Sequence, residues 1–112
     1  LNNYAYSLAL RKAKPQQAVE MAARVVSLSP GDANFEDTYA WTLYVAGEFE
    51  EALTWIELSL FHEGQRPSPT VLDHAGDILM ALDRVDEARK KWRAAIDAGG
   101  DPATINPKLS AE

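Results

Sequence analysis

The fold is decided by residues 35–60, which read FEDTYAWTLYVAGEFEEALTWIELSL. In the first half, apolar residues recur at steps of three and four, at Phe35, Tyr39, Leu43 and Ala46. In the second half they do so at Phe49, Ala52, Leu53, Ile56 and Leu60. Such spacing places apolar side chains on one face of a helix. Because Gly47 between the halves suits a helix C-terminus, the stretch predicts two helices joined by a tight turn.

The same helix–turn–helix unit recurs on both sides of this stretch. Its mid-helix alanines are Ala18, Ala52 and Ala88, spaced by 34 and 36 residues. Each alanine follows a helix-start signal, at Lys14-Pro15, Glu48-Phe49 and Arg84-Val85, and precedes a break at Pro30, Gly64 or Gly100. No segment shows sustained period-2 alternation, so strands are not expected. A single all-α domain over 1–112 is predicted, with repeat units of about 1–32, 33–68 and 69–100 and a tail at 101–112.

Small residues are predicted to let the two helices of a unit approach closely. Ala52 and Ala88 lie in the middle of the second helices, and Ala40 and Gly76 in the middle of the first helices. The distance between packed helices follows the size of the side chains at the contact. These four positions therefore indicate where the helices of each pair cross.

Composition excludes several classes of protein. The chain has 112 residues, 46% hydrophobic and 25% charged, which is the balance of a globular domain and not of a disordered chain. It has no cysteine, a net charge of −6 and no apolar run of the ~20 residues that span a membrane. Disulfides and thiol nucleophiles are excluded, and a nucleic-acid binder is not expected. Residues 31–65 hold eight acids and no Lys or Arg, typical either of a solvated surface or of a patch for a basic partner.

The pattern resembles the tetratricopeptide repeat (TPR) family over residues 1 to about 100. The second unit matches through Tyr39-Ala40, Leu43, Gly47, Ala52, Ile56 and Gly64, and the third through Ala75-Gly76, Leu79, Ala88, Trp92 and Gly100. Departures are Tyr6 in a small-residue slot, Glu36 in place of the large aromatic and Asp83 in place of the turn glycine. The resemblance implies a right-handed α-solenoid of three repeats, with about six helices plus a short C-terminal tail. The sequence is similar to the last repeats of longer bacterial TPR proteins.

In the family, the first helix of each unit lines a concave groove that takes a peptide segment. The resemblance places these residues in that groove: Asn3, Ser7 and Leu10 from the first unit, Asp37, Thr38, Trp41 and Tyr44 from the second, and Thr70, Asp73, His74, Asp77 and Met80 from the third. Trp41 and Tyr44 are candidate anchors. The aspartates favour a protein or peptide partner with basic and apolar residues. Two alternatives stay open, that Trp41 packs against the next repeat and that the acids only solvate helix faces.

Catalytic and metal sites are not expected. Asp73, His74 and Asp77 share a helix face, but zinc sites need three or four protein ligands, and the other histidine, His62, is assigned to a distant loop. No phosphate-binding glycine loop or nucleophile motif occurs. Five basic residues on one helix lie beside Asp86 and Glu87 and are expected to form i to i+4 pairs on a solvated face: Arg84, Arg89, Lys90, Lys91 and Arg93. The prediction is a binding module without enzymatic activity, metal or cofactor.

The C-terminal residues suggest an incomplete cap. Asn106-Pro107 is typical of a helix start, and the chain ends five residues later, at Glu112. A short cap is expected to leave Trp92 and Ile96 partly exposed. The alternative function is therefore a structural spacer, or self-association through the terminal helices. The compartment, cytoplasm or bacterial envelope, is left open.

Overall fold

The structure is a computed structural model, and it describes residues 13–110. Within that range lie the helices α1 (Pro15–Leu28), α2 (Ala33–Val45), α3 (Phe49–Glu63), α4 (Pro69–Ala81), α5 (Val85–Asp97) and α6 (Pro102–Ser110), and no strand occurs there. Each helix packs against the next one along the chain, and α2 also contacts α4. The predicted all-α, repeat-like fold is confirmed. The helix expected over residues 2–10 lies outside the described residues.

The helices α1, α3 and α5 begin where the sequence pattern predicts. Their first residues are Pro15, Phe49 and Val85, each directly after the residue expected to precede the helix. The first helices of the second and third units, α2 and α4, start with side-chain caps instead. The Asp32 carboxylate accepts hydrogen bonds from the backbone N–H groups of Asn34 and Phe35, and the Ser68 hydroxyl accepts one from that of Thr70. Such caps satisfy amide groups that the first turn of a helix leaves without partners.

The turns of the α2–α3 and α4–α5 hairpins have the same backbone pattern, 36 residues apart. The Glu48 N–H donates to the Leu43 carbonyl over 2.8 Å, and the Arg84 N–H donates to the Leu79 carbonyl over 2.9 Å. In both turns the preceding residue is left-handed, with φ 85° at Gly47 and 63° at Asp83. Since Asp tolerates this conformation better than most residues, Asp83 can replace the turn glycine, as the sequence predicts.

The small residues lie at the helix crossings. Ala40, Ala52 and Ala88 are fully buried. At Gly76 a Cβ atom would overlap the indole of Trp92, so the absence of a side chain there is required by the neighbouring helix. The two helices within the second unit and within the third unit therefore approach closely at the positions where the sequence has small residues.

The C-terminal tail corrects two expectations. It forms α6, which begins at Pro102 and contains Pro107, so Asn106-Pro107 is not the start of a helix. The Ile105 side chain of α6 is buried in one cluster with Trp92. Trp92 is only 3% exposed, and the expectation that it is partly exposed is wrong. The reason is that α6 covers the last apolar face of α5 with a helix that starts five residues earlier than the sequence suggests.

Candidate functional site

The candidate site residues from the second and third units come together on one surface. Asp37, Trp41 and Tyr44 lie on α2, and Asp73, His74 and Asp77 lie on α4. Contacts described below join α2 to α4 and α4 to α6. We call this surface the α2–α4–α6 face. The first-unit candidates Asn3, Ser7 and Leu10 lie outside the described residues.

Trp41 is the centre of an aromatic stack that crosses from one repeat to the next. Its indole stacks on the Tyr44 ring of the same helix, with 4.8 Å between ring centroids. It also stacks on the imidazole of His74 from α4, at 4.2 Å. Trp41 is half-buried. The interpretation that Trp41 packs against the next repeat therefore describes part of its surroundings.

Asp37 and His74 join the same two helices by a polar contact. The Asp37 Oδ1 and His74 Nδ1 atoms are 2.8 Å apart, and both side chains are largely buried, with 16% and 22% exposed. The imidazole thus has an indole against its ring and a carboxylate at its edge. This arrangement fixes the orientation of His74, because stacking and hydrogen bonding constrain different directions of the ring.

The aspartates of α4 hold a cation that the chain itself supplies. Lys108 Nζ of α6 donates to Asp73 Oδ1 over 2.8 Å, and to the Asp77 Oδ1 and Oδ2 atoms over 3.0 and 3.2 Å. These acids do more than solvate a helix face, and an intramolecular lysine already lies between them. The sequence analysis missed Lys108 because α6 was expected to be a truncated tail. The repeat spacing does not identify it, because the offset of 36 residues that relates the two hairpins takes His74 to Ser110.

The charged groups of this cluster respond differently to burial. Burial raises the pKa of Asp77 above its ordinary 3.8, and the hydrogen bond and charge of Lys108 only partly offset the rise. Burial alone would lower the pKa of Lys108, but hydrogen bonds to Asp73 and Asp77 outweigh it, and the pKa lies above the ordinary 10.5. Pairing therefore favours the ammonium form of Lys108, while ionised Asp77 bears the cost of desolvation.

A cavity of about 370 Å³ opens beside Trp41, between α1, α2 and α4. Pro15 and Ala18 of α1 form one side of its lining. Trp41 and Val45 of α2 form another, and Val45 is 56% exposed. The linked pair of Asp37 and His74 also lines it. Its walls can accept an apolar side chain and place a carboxylate next to a cation carried by the same ligand.

A second cavity, of about 400 Å³, lies between α1 and α3 and contains a polar pair that the sequence analysis did not find. The Glu36 carboxylate is 2.6 Å from His62 Nδ1, and Glu36 is only 2% exposed. His62 belongs to the last turn of α3, so its assignment to a loop is wrong. Tyr39 and Trp55 form an aromatic wall, with 4.9 Å between ring centroids. Burial, and secondarily the charge of Glu51, raise the pKa of Tyr39 above 10.0.

Neither a cluster of metal ligands nor a membrane-spanning helix occurs in the described part of the chain. Between residues 13 and 110, no three His, Asp or Glu side chains lie close enough together to hold a metal ion. Within the same range, no helix combines the length and the apolar character needed to cross a membrane.

Comparison with known proteins does not identify the chain. No protein-family model matches the sequence, and no curated protein matches it. The candidate function therefore depends on the geometry of the two cavities and of the α2–α4–α6 face.

Proposed function

We propose that this chain is a non-catalytic protein–protein interaction module of the TPR type, which binds a segment of a partner protein. The observation that carries the proposal is the cavity of about 370 Å³ beside Trp41. An aromatic wall, an exposed valine and a carboxylate in one concave site suit an apolar side chain with a basic neighbour. The bacterial origin implied by the sequence pattern belongs to the same proposal.

The charge distribution favours a basic partner segment. Residues 31–65 contain eight acids and no Lys or Arg, which attracts cations to this part of the surface. Asp73 and Asp77 are engaged by Lys108, so the carboxylate that lines the cavity is that of Asp37. Asp37 keeps 16% of its side chain exposed beside His74. A partner Lys or Arg next to an apolar anchor would reach it.

The test is selection of peptides from a random library displayed on phage, followed by affinity measurement with synthetic peptides. We expect the selected peptides to combine an apolar residue with Lys or Arg. Val45→Lys places a positive charge in the cavity wall at an exposed position, where it opposes both the apolar and the basic residue of the ligand, and should weaken binding by about tenfold or more. Phe61→Lys is the matched control, because Phe61 is 77% exposed on α3 and does not line this cavity.

Salt and the aromatic stack provide a second measurement. Affinity should fall as salt rises if Asp37 attracts the ligand. Trp41→Ala with Tyr44→Ala should also weaken binding while circular dichroism stays helical, although this variant loosens the contact with His74 as well. Selection without enrichment, or equal affinity for the protein and its Val45→Lys variant, would contradict the proposal.

Self-association is the alternative function. Leu28 of α1 and Phe61 of α3 are 75% and 77% exposed, and such apolar side chains can form a contact between copies. Trp92 is buried and is not available for it. Light scattering against concentration separates the two functions. A dimer that Phe61→Asp dissociates would favour the alternative, and a monomer at all concentrations would exclude it.

A further inference from the structure

The ammonium group of Lys108 lies in a site built from two helices. Its Nζ atom donates to the carboxylates of Asp73 and Asp77 on α4 and lies 5.9 Å from the ring centroid of Trp92 on α5. The two aspartates are 21% and 17% exposed, so the attraction is only partly screened by water. Two carboxylates and an indole face are the groups that recognise a lysine side chain.

The rest of α6 contacts the body of the protein through apolar side chains on the same side as Lys108. Ile105 is 3% exposed and lies in one buried cluster with Trp92, and Leu109 packs against that cluster. Residues at spacings of three and four share a helix face. The contact therefore depends on a short sequence pattern: an apolar residue, two residues of any type, then Lys and a second apolar residue.

The helix that makes this contact is weak by itself. It has nine residues, and Ile105 is its one buried residue. Isolated helices shorter than about 12 residues are marginal in water. Pro107 within α6 lacks the N–H group that a helix interior uses. Gly99, with φ 104°, forms the turn between α5 and α6.

We infer that Asp73, Asp77 and Trp92 form a lysine-binding site for a partner helix, and that α6 is its intramolecular ligand. The partner helix carries the same apolar, Lys, apolar pattern and binds by displacing α6. The inference rests on the proposed function, in that both take the α2–α4–α6 face as a surface for protein segments. It concerns a second site on that face, at Asp73 and Asp77 and not at the cavity beside Trp41, and names the chemistry of its ligand.

The probe is a labelled peptide of residues 102–110 with Pro107→Ala, added to the full chain. The peptide keeps Ile105, Lys108 and Leu109 but forms a helix more readily, because proline costs about 3 kcal/mol in a helix interior. We expect saturable binding, measured by fluorescence anisotropy, and faster hydrogen exchange of the α6 amides when the peptide is bound. The matched control peptide also carries Lys108→Gln and should bind about tenfold more weakly.

Variants of the full chain test the competition between α6 and the peptide. Lys108→Met removes the intramolecular cation and should raise the affinity for the peptide. Asp73→Asn with Asp77→Asn should lower it. Pro107→Ala in the full chain strengthens α6 and should also lower the affinity, so the competition can be tested even if a weakened variant fails to fold.

The inference is overturned if the peptide does not bind, or if it binds while hydrogen exchange of α6 stays unchanged. Equal affinity for the protein and its double aspartate variant would overturn it too. The outcome is distinguishable from failure of the proposed function, because Val45→Lys affects the cavity beside Trp41 and leaves the Lys108 site intact. A protein that binds library peptides but not the residue 102–110 peptide keeps the proposed function and loses this inference.

Discussion

The α2–α3 and α4–α5 hairpins have the same backbone plan but fill it with side chains of different size. Ala40 and Ile56, both fully buried, correspond 36 residues later to Gly76 and Trp92. The larger Trp92 is accommodated by the loss of a methyl group at Gly76, where a Cβ atom would overlap the indole. The difference teaches that the helix crossing is specified by a pair of residues and not by a single small one, since packed interiors respond to the sum of volumes.

Polar groups distinguish the two hairpins in the same way. In the α2–α3 hairpin, Glu36 pairs with His62, and the buried Ser59 hydroxyl donates to the Ala33 carbonyl over 2.7 Å. The corresponding residues of the α4–α5 hairpin are Leu72, Ala98 and Ala95, all apolar. The α2–α3 hairpin therefore has buried hydrogen bonds at positions where the α4–α5 hairpin has apolar residues. Substitutions that copy residues from one hairpin into the other test this difference.

The largest effect is expected for Gly76→Ala. A methyl group at this position would overlap three atoms of the Trp92 indole, so we expect a cost at the upper end of the range for core overpacking, about 3 kcal/mol. The substitution should also gain about 1 kcal/mol of helix propensity. We expect a net loss of about 2 kcal/mol in the free energy of unfolding, measured by urea denaturation.

The sharper version of this experiment copies the pair from the other hairpin. Trp92→Ile alone should destabilise because it leaves a cavity, but Gly76→Ala combined with Trp92→Ile recreates the combination of Ala40 and Ile56. The double variant should lose less stability than the sum of the single variants. Strict additivity would show that the two residues are not a pair.

The second prediction concerns the Glu36 and His62 pair. His62→Ala leaves the Glu36 carboxylate buried without its partner, and should cost about 2 kcal/mol, below the usual range for a fully buried pair because His62 is 32% exposed at its side chain. Glu36→Leu, which copies Leu72, should cost less, because it removes the buried carboxylate and leaves His62, 32% exposed at its side chain, able to hydrogen-bond to water. A larger loss for Glu36→Leu than for His62→Ala would contradict this account.

A smaller effect is predicted for Ser59→Ala, which copies Ala95. The Ser59 hydroxyl is fully buried and bridges α3 to the first residue of α2. Loss of one such hydrogen bond costs about 1 kcal/mol. The control is Thr54→Ala, because the Thr54 hydroxyl bonds only within its own helix and is exposed. Thermal unfolding should separate the two variants, and equal melting temperatures would show that the hydrogen bond does not join the helices.

What the sequence could predict follows from the range of each interaction. The helix starts at Pro15, Phe49 and Val85 depend on neighbouring residues, and the helix crossings follow from a repeated spacing, so both were predictable. The pairing of Glu36 with His62, and of Asp73 and Asp77 with Lys108, joins residues 26 to 35 positions apart on different helices. Such contacts depend on the rotation of each helix about its axis, which periodicity gives only to within a face.

The surroundings of Trp41 and Trp92 could not be predicted for the same reason, because they depend on how separate helices are placed. Both residues lie on the faces that the pattern indicates, but the burial of Trp92 depends on α6, whose predicted start was misplaced by five residues from Pro102. The stacking of Trp41 on His74 depends on how far α2 and α4 are shifted along their axes, which residue spacing within one helix does not predict. The candidate residues of the second and third units lie on one surface, while their partners could be identified only in the folded chain.

The smallest effect is expected from the pH dependence of the Asp77 and Lys108 pair, which the α2–α3 hairpin lacks. Because the folded state raises the pKa of Asp77 above 3.8, its contribution to stability is present below that pH and is lost as the pH rises through the folded pKa. The contribution of Lys108, whose pKa lies above 10.5, is lost only in the alkaline range. Urea denaturation from about pH 3 to 6 should show a gentler decline for Asp77→Asn than for the unchanged protein. Lys108→Gln removes the interactions that lower the pKa of Asp77 and should steepen the decline, so parallel curves for all three proteins would show that the cluster does not control stability in this range.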